Sequence, residues 1–248
     1  MLTLLLMLVG LTAGIGITTV GPGGVLTTVG LVHLTTLSPA VIAGTVMTTN
    51  IANGLVGTTV YARSGHLKDH ATRRLAKVLT GTAVLGTPAG VFLNTGLSNR
   101  EFELILAVFL LAVAGLVWLR QRRAGVTTDG PQLRLGPLGV IGILVACASG
   151  LLGVGGPVLT VPILIALGVR VLPALAAAQV QSIVISTVGA TGYLLAGAVD
   201  WTMVAVIGMP QLVGVVLGWK IARAVPSKVL TSGLIIVLVL LVPTLLFL

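Results

Sequence analysis

Two clusters of uncharged hydrogen-bonding side chains interrupt otherwise apolar sequence. Thr45, Thr48, Thr49, Asn50 and Asn53 form the first, and Gln179, Gln181, Ser182, Ser186 and Thr187 the second. Spacings of three and four put Thr49, Asn50 and Asn53 near one helical face, and Gln179, Ser182 and Ser186 near another. Amides and hydroxyls are costly at lipid depth unless they bond to one another or to a ligand. Their chemistry is that of neutral donors and acceptors, suited to holding a small polar guest. Their structural use is hydrogen bonding between helices, and the two uses are compatible.

Glycine supplies the other candidate site. Gly153-Val154-Gly155-Gly156-Pro157 lies within the apolar run 135–167 and is echoed upstream by Gly21-Pro22-Gly23-Gly24. A glycine cluster breaks a helix and leaves amide groups that lipid cannot satisfy. Successive glycine amides at a helix N-terminus, together with the helix dipole, favour an anion. Gly23, Gly24, Gly155, Gly156 and Pro157 therefore join Thr48, Thr49, Asn50, Asn53, Gln179, Gln181 and Ser182 as expected substrate-binding residues. Close helix packing is the purely structural use of the same glycines.

Charge narrows the guest. Asp69, Glu101, Glu103, Asp129 and Asp200 all fall in loops or at segment ends. A carrier of cations would keep a buried carboxylate, so neutral donors and helix N-termini suit an anion, held weakly for want of a buried cation. Asp200 is a candidate for carrying a coupling proton, against its ordinary reading as an N-cap beside an interfacial tryptophan. His66 and His70 have metal-pair spacing but stand in a basic loop without further ligands, and His33 reads as a packing residue. No metal site or cofactor is expected. Without a Walker A sequence, Gly-x-Ser-x-Gly, His-Glu-x-x-His or Cys-x-x-Cys, neither ATP drive nor an enzyme is indicated.

These residues need elements to hold them. Of 248 residues, 56% are hydrophobic and only 8% charged, against about 25% charged in soluble domains. The chain reads as an all-α, polytopic membrane bundle whose first partner is the bilayer. Its net charge of +9 belongs to short loops between spans and not to nucleic-acid binding. The single Cys147 excludes an internal disulfide. The N-terminus lacks a basic stretch before its apolar run, so it reads as a retained span.

The two halves match. Aligning Gly21 with Gly153 pairs Gly23 with Gly155, Gly24 with Gly156, Thr28 with Thr160 and Val29 with Val161. A two-residue adjustment pairs Pro39 with Pro173, Ala43 with Ala177, Thr45 with Gln179 and Thr48 with Ser182; farther on, Gly86 and Gly90 meet Gly214 and Gly218. Such self-similarity reads as duplication. Residues 1–123 are the expected first repeat, 124–134 a cytoplasmic linker and 135–248 the second repeat.

Ten apolar segments follow: 2–20, 24–37, 40–62, 75–95, 101–119, 136–152, 156–169, 173–196, 201–219 and 228–247. The second of each half is too short to span comfortably, which leaves eight full spans and two half-helices or re-entrant arms. Ser38-Pro39, Ser98 with Glu101, and Asp200 read as helix starts. If the loops with Arg63, Lys68, Arg73, Arg74 and Lys77, and with Arg120, Arg122, Arg123 and Arg134, face the cytoplasm, both termini lie outside. An odd number of segments per repeat then makes the repeats inverted, the architecture of alternating-access carriers.

The run Gly153-Val154-Gly155-Gly156-Pro157-Val158-Leu159-Thr160-Val161-Pro162-Ile163-Leu164 resembles the signature of the TauE/SafE sulfite-exporter-like permeases. The hydroxyl-bearing segment 176–187 and Gly197-Ala198-Val199-Asp200-Trp201 extend the similarity. In the first half Gly21-Pro22-Gly23-Gly24 continues into Val29-Gly30 where the family has Val-Pro. The resemblance implies secondary transport, driven by the proton gradient, of a sulfur-containing anion such as sulfite, a sulfonate or sulfoacetate across the plasma membrane. An anion channel and a non-transporting accessory subunit are the alternatives, and a homodimer is compatible with the sequence.

Overall fold

The computed structural model describes residues 1–19, 21, 23–63, 67–123 and 135–224. Among them the chain is all helix: α1 (Leu2–Thr19), α2 (Gly24–Leu34), α3 (Pro39–Arg63), α4 (His70–Thr95), α5 (Asn99–Arg123), α6 (Leu135–Leu152), α7 (Pro157–Ala166), α8 (Val171–Leu195) and α9 (Trp201–Ala224). The first nine expected segments each have their helix; the tenth, 228–247, lies outside the described residues, as does the linker. Leu2–Thr19, Pro39–Arg63, His70–Thr95, Pro173–Leu195 and Trp201–Ile221 are long and apolar enough to cross a bilayer. Their outward faces carry Leu85, Phe92, Leu195 and Met209, large apolar groups that lipid accepts and water would not.

Polar side chains set the helix ends. Asp69 caps α4, accepting from the amide of Thr72 at 3.0 Å and its hydroxyl at 2.9 Å, and these bonds hold its carboxyl below the usual range. α4 therefore starts earlier than its hydropathy suggests, and Arg73, Arg74 and Lys77, expected in a loop, lie on its first turns. Arg120, Arg122 and Arg123 likewise extend α5 instead of following it. Ser98 and Glu101 form the expected capping box, with Glu101 Oε2 accepting from the Ser98 amide at 2.9 Å and its hydroxyl at 2.7 Å. Asp200 caps α9 through the amide of Met203 at 3.0 Å. Gly168 (φ +88°) and Gly197 (φ +67°) close α7 and α8 in left-handed turns, with Val169 N–H reaching Leu164 O and Ala198 N–H reaching Tyr193 O.

Two helical hairpins organise the rest. α1 and α2 fold back on each other: a Cβ on Gly30 would strike Val9, and one on Gly16 would crowd Gly23. Leu6 and Leu31, near the open end of that hairpin, share a buried cluster with Ile42 and Ile207. α6 and α7 fold back similarly, and Leu138 and Leu164 at their open end share a cluster with Ala76, Leu79 and Ala174. The open ends thus lie beside different helices, the first by the starts of α3 and α9, the second by the starts of α4 and α8.

Long helices clamp both hairpins through small residues. α9 lies along α1, where a Cβ on Gly14 would collide with the carbonyl of Gln211 and one on Gly214 with that of Leu11. α6 lies along α4, where a Cβ on Gly86 or Gly90 would collide with the carbonyls of Ile143 and Cys147. At these positions backbone touches backbone, the contact that drives helix association in lipid. α3 and α8 run antiparallel through the centre, with Gly44 against Tyr193, Gly54 against Ile183 and Gly57 against Gln179.

Gly90→Val should lower the thermal midpoint markedly and broaden the size-exclusion peak in detergent, because α4 and α6 must separate. Gly81→Ala, where an added methyl meets nothing within 4 Å, should be neutral or stabilising by about 0.5–1 kcal/mol. Differential scanning fluorimetry of the two variants side by side checks the pair.

Candidate functional site

The tips of the two hairpins meet. Gly21 (φ +108°) and Gly153 (φ +69°) both take left-handed backbone at the turns, the conformation glycine adopts at no steric cost. Beyond each turn the returning helix opens with the same bond, Leu26 N–H to Gly23 O at 3.0 Å and Val158 N–H to Gly155 O at 3.3 Å. A Cβ on Gly24 would lie 3.7 Å from the Gly155 amide nitrogen, so the N-termini of α2 and α7 stand against each other. Their positive dipole ends converge on one place.

A small cavity lies there, lined by Ile17, Gly21 and Gly24 of the first hairpin, Gly155, Pro157 and Val158 of the second, Asn50, Asn53 and Gly54 of α3, and Gln179 and Ser182 of α8. About 10 Å³ is open to the centre of a water-sized sphere, near the lower limit for one ordered water. None of these lining residues is charged. Asn50, Asn53, Gln179 and Ser182 are each no more than 4% exposed.

Their polar atoms are only partly satisfied. Asn53 Nδ2 donates to Asn50 Oδ1 at 3.4 Å, while Asn50 Nδ2, Asn53 Oδ1 and Gln179 Nε2 are buried without a hydrogen-bond partner. An orphaned buried polar group costs about 1–3 kcal/mol. A Cβ built on Gly155 would stand 3.3 Å from Ser182 Oγ and 3.7 Å from Asn50 Nδ2, so the missing side chain at Gly155 keeps the donors accessible from the cavity. Two amide donors, a hydroxyl and two helix N-termini together can bind a small anion without a cation.

Seven of the twelve expected residues are brought together here: Gly24, Asn50, Asn53, Gly155, Pro157, Gln179 and Ser182. The other five stand elsewhere. Gly23 packs on the backbone of α1, where a Cβ would collide with Ala13 O, and Gly156 packs against Ile185 and the Ser182 backbone. Thr48 bonds back to Gly44 O at 2.8 Å and Thr49 to Val46 O at 2.8 Å, and Thr49 lies against Gly208 of α9. Gln181 accepts from the Thr160 hydroxyl at 2.7 Å and so ties α7 to α8. Asp200 lies off the cavity, its side chain capping α9 and its backbone N–H donating to Thr45 Oγ1 at 3.0 Å.

Four lining residues were not on the expected set. Gly21 heads the first glycine cluster, and Gly54 follows Asn50 by one helical turn, so both had a readable signal. Ile17 and Val158 are apolar residues in apolar helices, and spacing alone does not distinguish them from their neighbours.

Gln179→Leu removes an orphaned donor while filling the same space, so the ligand-free variant should be more stable by about 1 kcal/mol. Thermal unfolding without added anions, compared with the parent chain, checks this; a lower midpoint would show that Gln179 is a satisfied packing residue.

A family model described as Sulfite exporter TauE/SafE matches residues 6–245. A search of curated proteins and a search of solved structures each returned no match. The match spans both hairpins, all the long helices and the cavity between them, and the chain belongs to the TauE/SafE sulfite exporter family, membrane transporters of anions.

Proposed function

We propose that this protein is a secondary transporter that moves a small sulfur oxyanion, of the sulfite, sulfonate or sulfoacetate class, across the plasma membrane by alternating access. The observation that carries the proposal is the cavity at the meeting hairpin tips, where orphaned amide donors face two helix N-termini and no charged side chain lines the space. Broken helices with their N-termini aimed at one point are how carriers hold anionic groups at the bilayer midplane. Coupling to the proton gradient completes the reading, which is compatible with a homodimer.

Two inverted repeats, 1–123 and 135–248 joined by a cytoplasmic linker, account for the helix pairings. Exchanging α1–α4 with α6–α9 in order turns α1 against α9 into α6 against α4, and α3 against α9 into α8 against α4, and each of these pairs is in contact. α3 against α8 maps onto itself. The hairpins open beside different helices, as arms entering from opposite faces would, while the long helices make the full crossings.

The cavity breaks that symmetry. Gln179 and Ser182 line it, but their counterparts Thr45 and Thr48 bond to Asp200 N–H and to Gly44 O. This asymmetry supports reading the arrangement as one of two related by the repeats' pseudo-two-fold axis, and a rocking of the hairpins that traded the roles of α3 and α8 would form the other. Alternating access needs two such states. A channel needs only one, open at both ends.

Reconstituted protein should show counterflow of labelled sulfite accelerated by sulfite on the far side of the membrane. Flux without trans-acceleration would make it a channel, and no flux with any sulfur oxyanion an accessory subunit. Gly155→Ala, which puts one methyl beside Ser182 and Asn50 without a backbone collision, should fold normally and lose about tenfold or more in flux, the effect of about 1.4 kcal/mol.

A further inference from the structure

We infer that the site selects anions by charge, accepting monoanions and refusing dianions, so that sulfite is carried as hydrogen sulfite and the coupled proton travels on the substrate. The inference rests on the transport reading above and specifies the ionic form that this cavity takes.

Two features of the cavity carry it. The first is the absence of a countercharge. The lining residues of α1, α2, α3, α7 and α8 include no Asp, Glu, Lys, Arg or His. The titratable groups on surrounding helices, His33 of α2, Tyr61 and Arg63 of α3, Tyr193 of α8, the charged groups of α4 and Lys220 of α9, do not line it, nor does Asp200. The cost of moving an ion out of water grows with the square of its charge, so a dianion costs about four times as much as a monoanion of the same size. Neutral donors and helix ends offset the smaller cost far better than the larger.

The second feature is an acceptor among the donors. Asn50 and Asn53 share one hydrogen bond, which uses one amide N–H and one amide oxygen. Whichever way the two amides are turned, such a pair leaves one NH₂ and one carbonyl oxygen unused; here these are Asn50 Nδ2 and Asn53 Oδ1, both buried and unpartnered on residues that line the cavity. A dianion has no proton to give Asn53 Oδ1 and would meet a repulsive lone pair there. Hydrogen sulfite can donate its O–H to that oxygen while its remaining oxygens accept from Asn50 Nδ2 and Gln179 Nε2. The donor and acceptor set is complementary to a protonated oxyanion.

The proton balance follows. Sulfite takes up a proton in solution on one side, enters as hydrogen sulfite and releases the proton on the other, so each turnover moves one proton with one sulfite and no carboxylate of the protein need change its charge.

The test uses the full-length protein in proteoliposomes at fixed total concentrations of three probes: sulfite, whose two forms interconvert near neutral pH, methanesulfonate, a permanent monoanion at these pH values, and sulfate, a permanent dianion. Initial sulfite flux should fall about tenfold per pH unit above the pKa of hydrogen sulfite, methanesulfonate flux should stay level over the same range, and sulfate should not be carried. Sulfite flux that holds or rises with pH while methanesulfonate is level, or sulfate carried at a comparable rate, would overturn the inference and leave transport standing. Flux of none of the three would defeat the transport reading itself. Asn53→Val should cut sulfite flux about three- to tenfold more than methanesulfonate flux, since only hydrogen sulfite has a proton to donate; equal losses would remove the acceptor role.

Discussion

A helix that stops among apolar neighbours leaves peptide groups that those neighbours cannot serve, and this fold is arranged around two such stops. Each is made by glycine, and each is sheltered by the other. The tip of one hairpin lies against the tip of its counterpart, with Gly24 facing Gly155, and α3 and α8 close the sides with Asn50, Asn53, Gln179 and Ser182. Gly21, Gly23, Gly153, Val154, Gly155 and Gly156, the described residues of the two turns, are all buried. Once the tips must meet, the rest is a problem of holding the arms steady.

The long helices do that through contact and not through the hydrophobic effect, which has little force between surfaces already in lipid. Hence glycine occurs not only at the turns but along the arms. Gly10 and Gly14 admit the backbone of α9, and Gly86 and Gly90 admit that of α6. Hydrogen bonds between helices add to the clamp: Thr18 to Val215 O at 2.9 Å, Asn94 to Leu151 O at 2.6 Å and Tyr193 to Gly150 O at 2.8 Å. Buried polar atoms without a partner occur on the arms as well, Asn94 Oδ1 and Gln211 Oε1 among them, and Asn50 Nδ2, Asn53 Oδ1 and Gln179 Nε2 are those that belong to residues lining the cavity.

Position separates the polar residues that look alike in the sequence. Gln181 and Gln179 are two positions apart and each has a buried amide nitrogen without a partner, yet Gln181 accepts from Thr160 and joins α7 to α8 while Gln179 lines the cavity. Thr48 and Thr49 satisfy themselves on carbonyls of their own helix, whereas Asn50 beside them is left with a free NH₂. Unsatisfied buried groups cost stability, and under the proposed function an anion would offset that cost. A site made of neutral groups would also release an anion without breaking an ion pair.

Much of the fold was readable from residues alone, since apolar length, glycine breaks and caps act locally: α1 to α9 stand where hydropathy placed them, and Ser98, Glu101 and Asp200 cap as their spacing implied. Charge on a helix's first and last turns was less readable, because α4 and α5 run past their apolar cores into basic sequence, α4 under the Asp69 cap. The site divides along the same line. Composition determined that neutral donors and glycine amides, without buried carboxylates, had to serve any guest at depth. Only the tertiary structure decided which of those donors share one space, because that depends on the angle at which α3 crosses α8 and on how far each hairpin reaches, quantities set by backbone contacts between residues far apart in the chain.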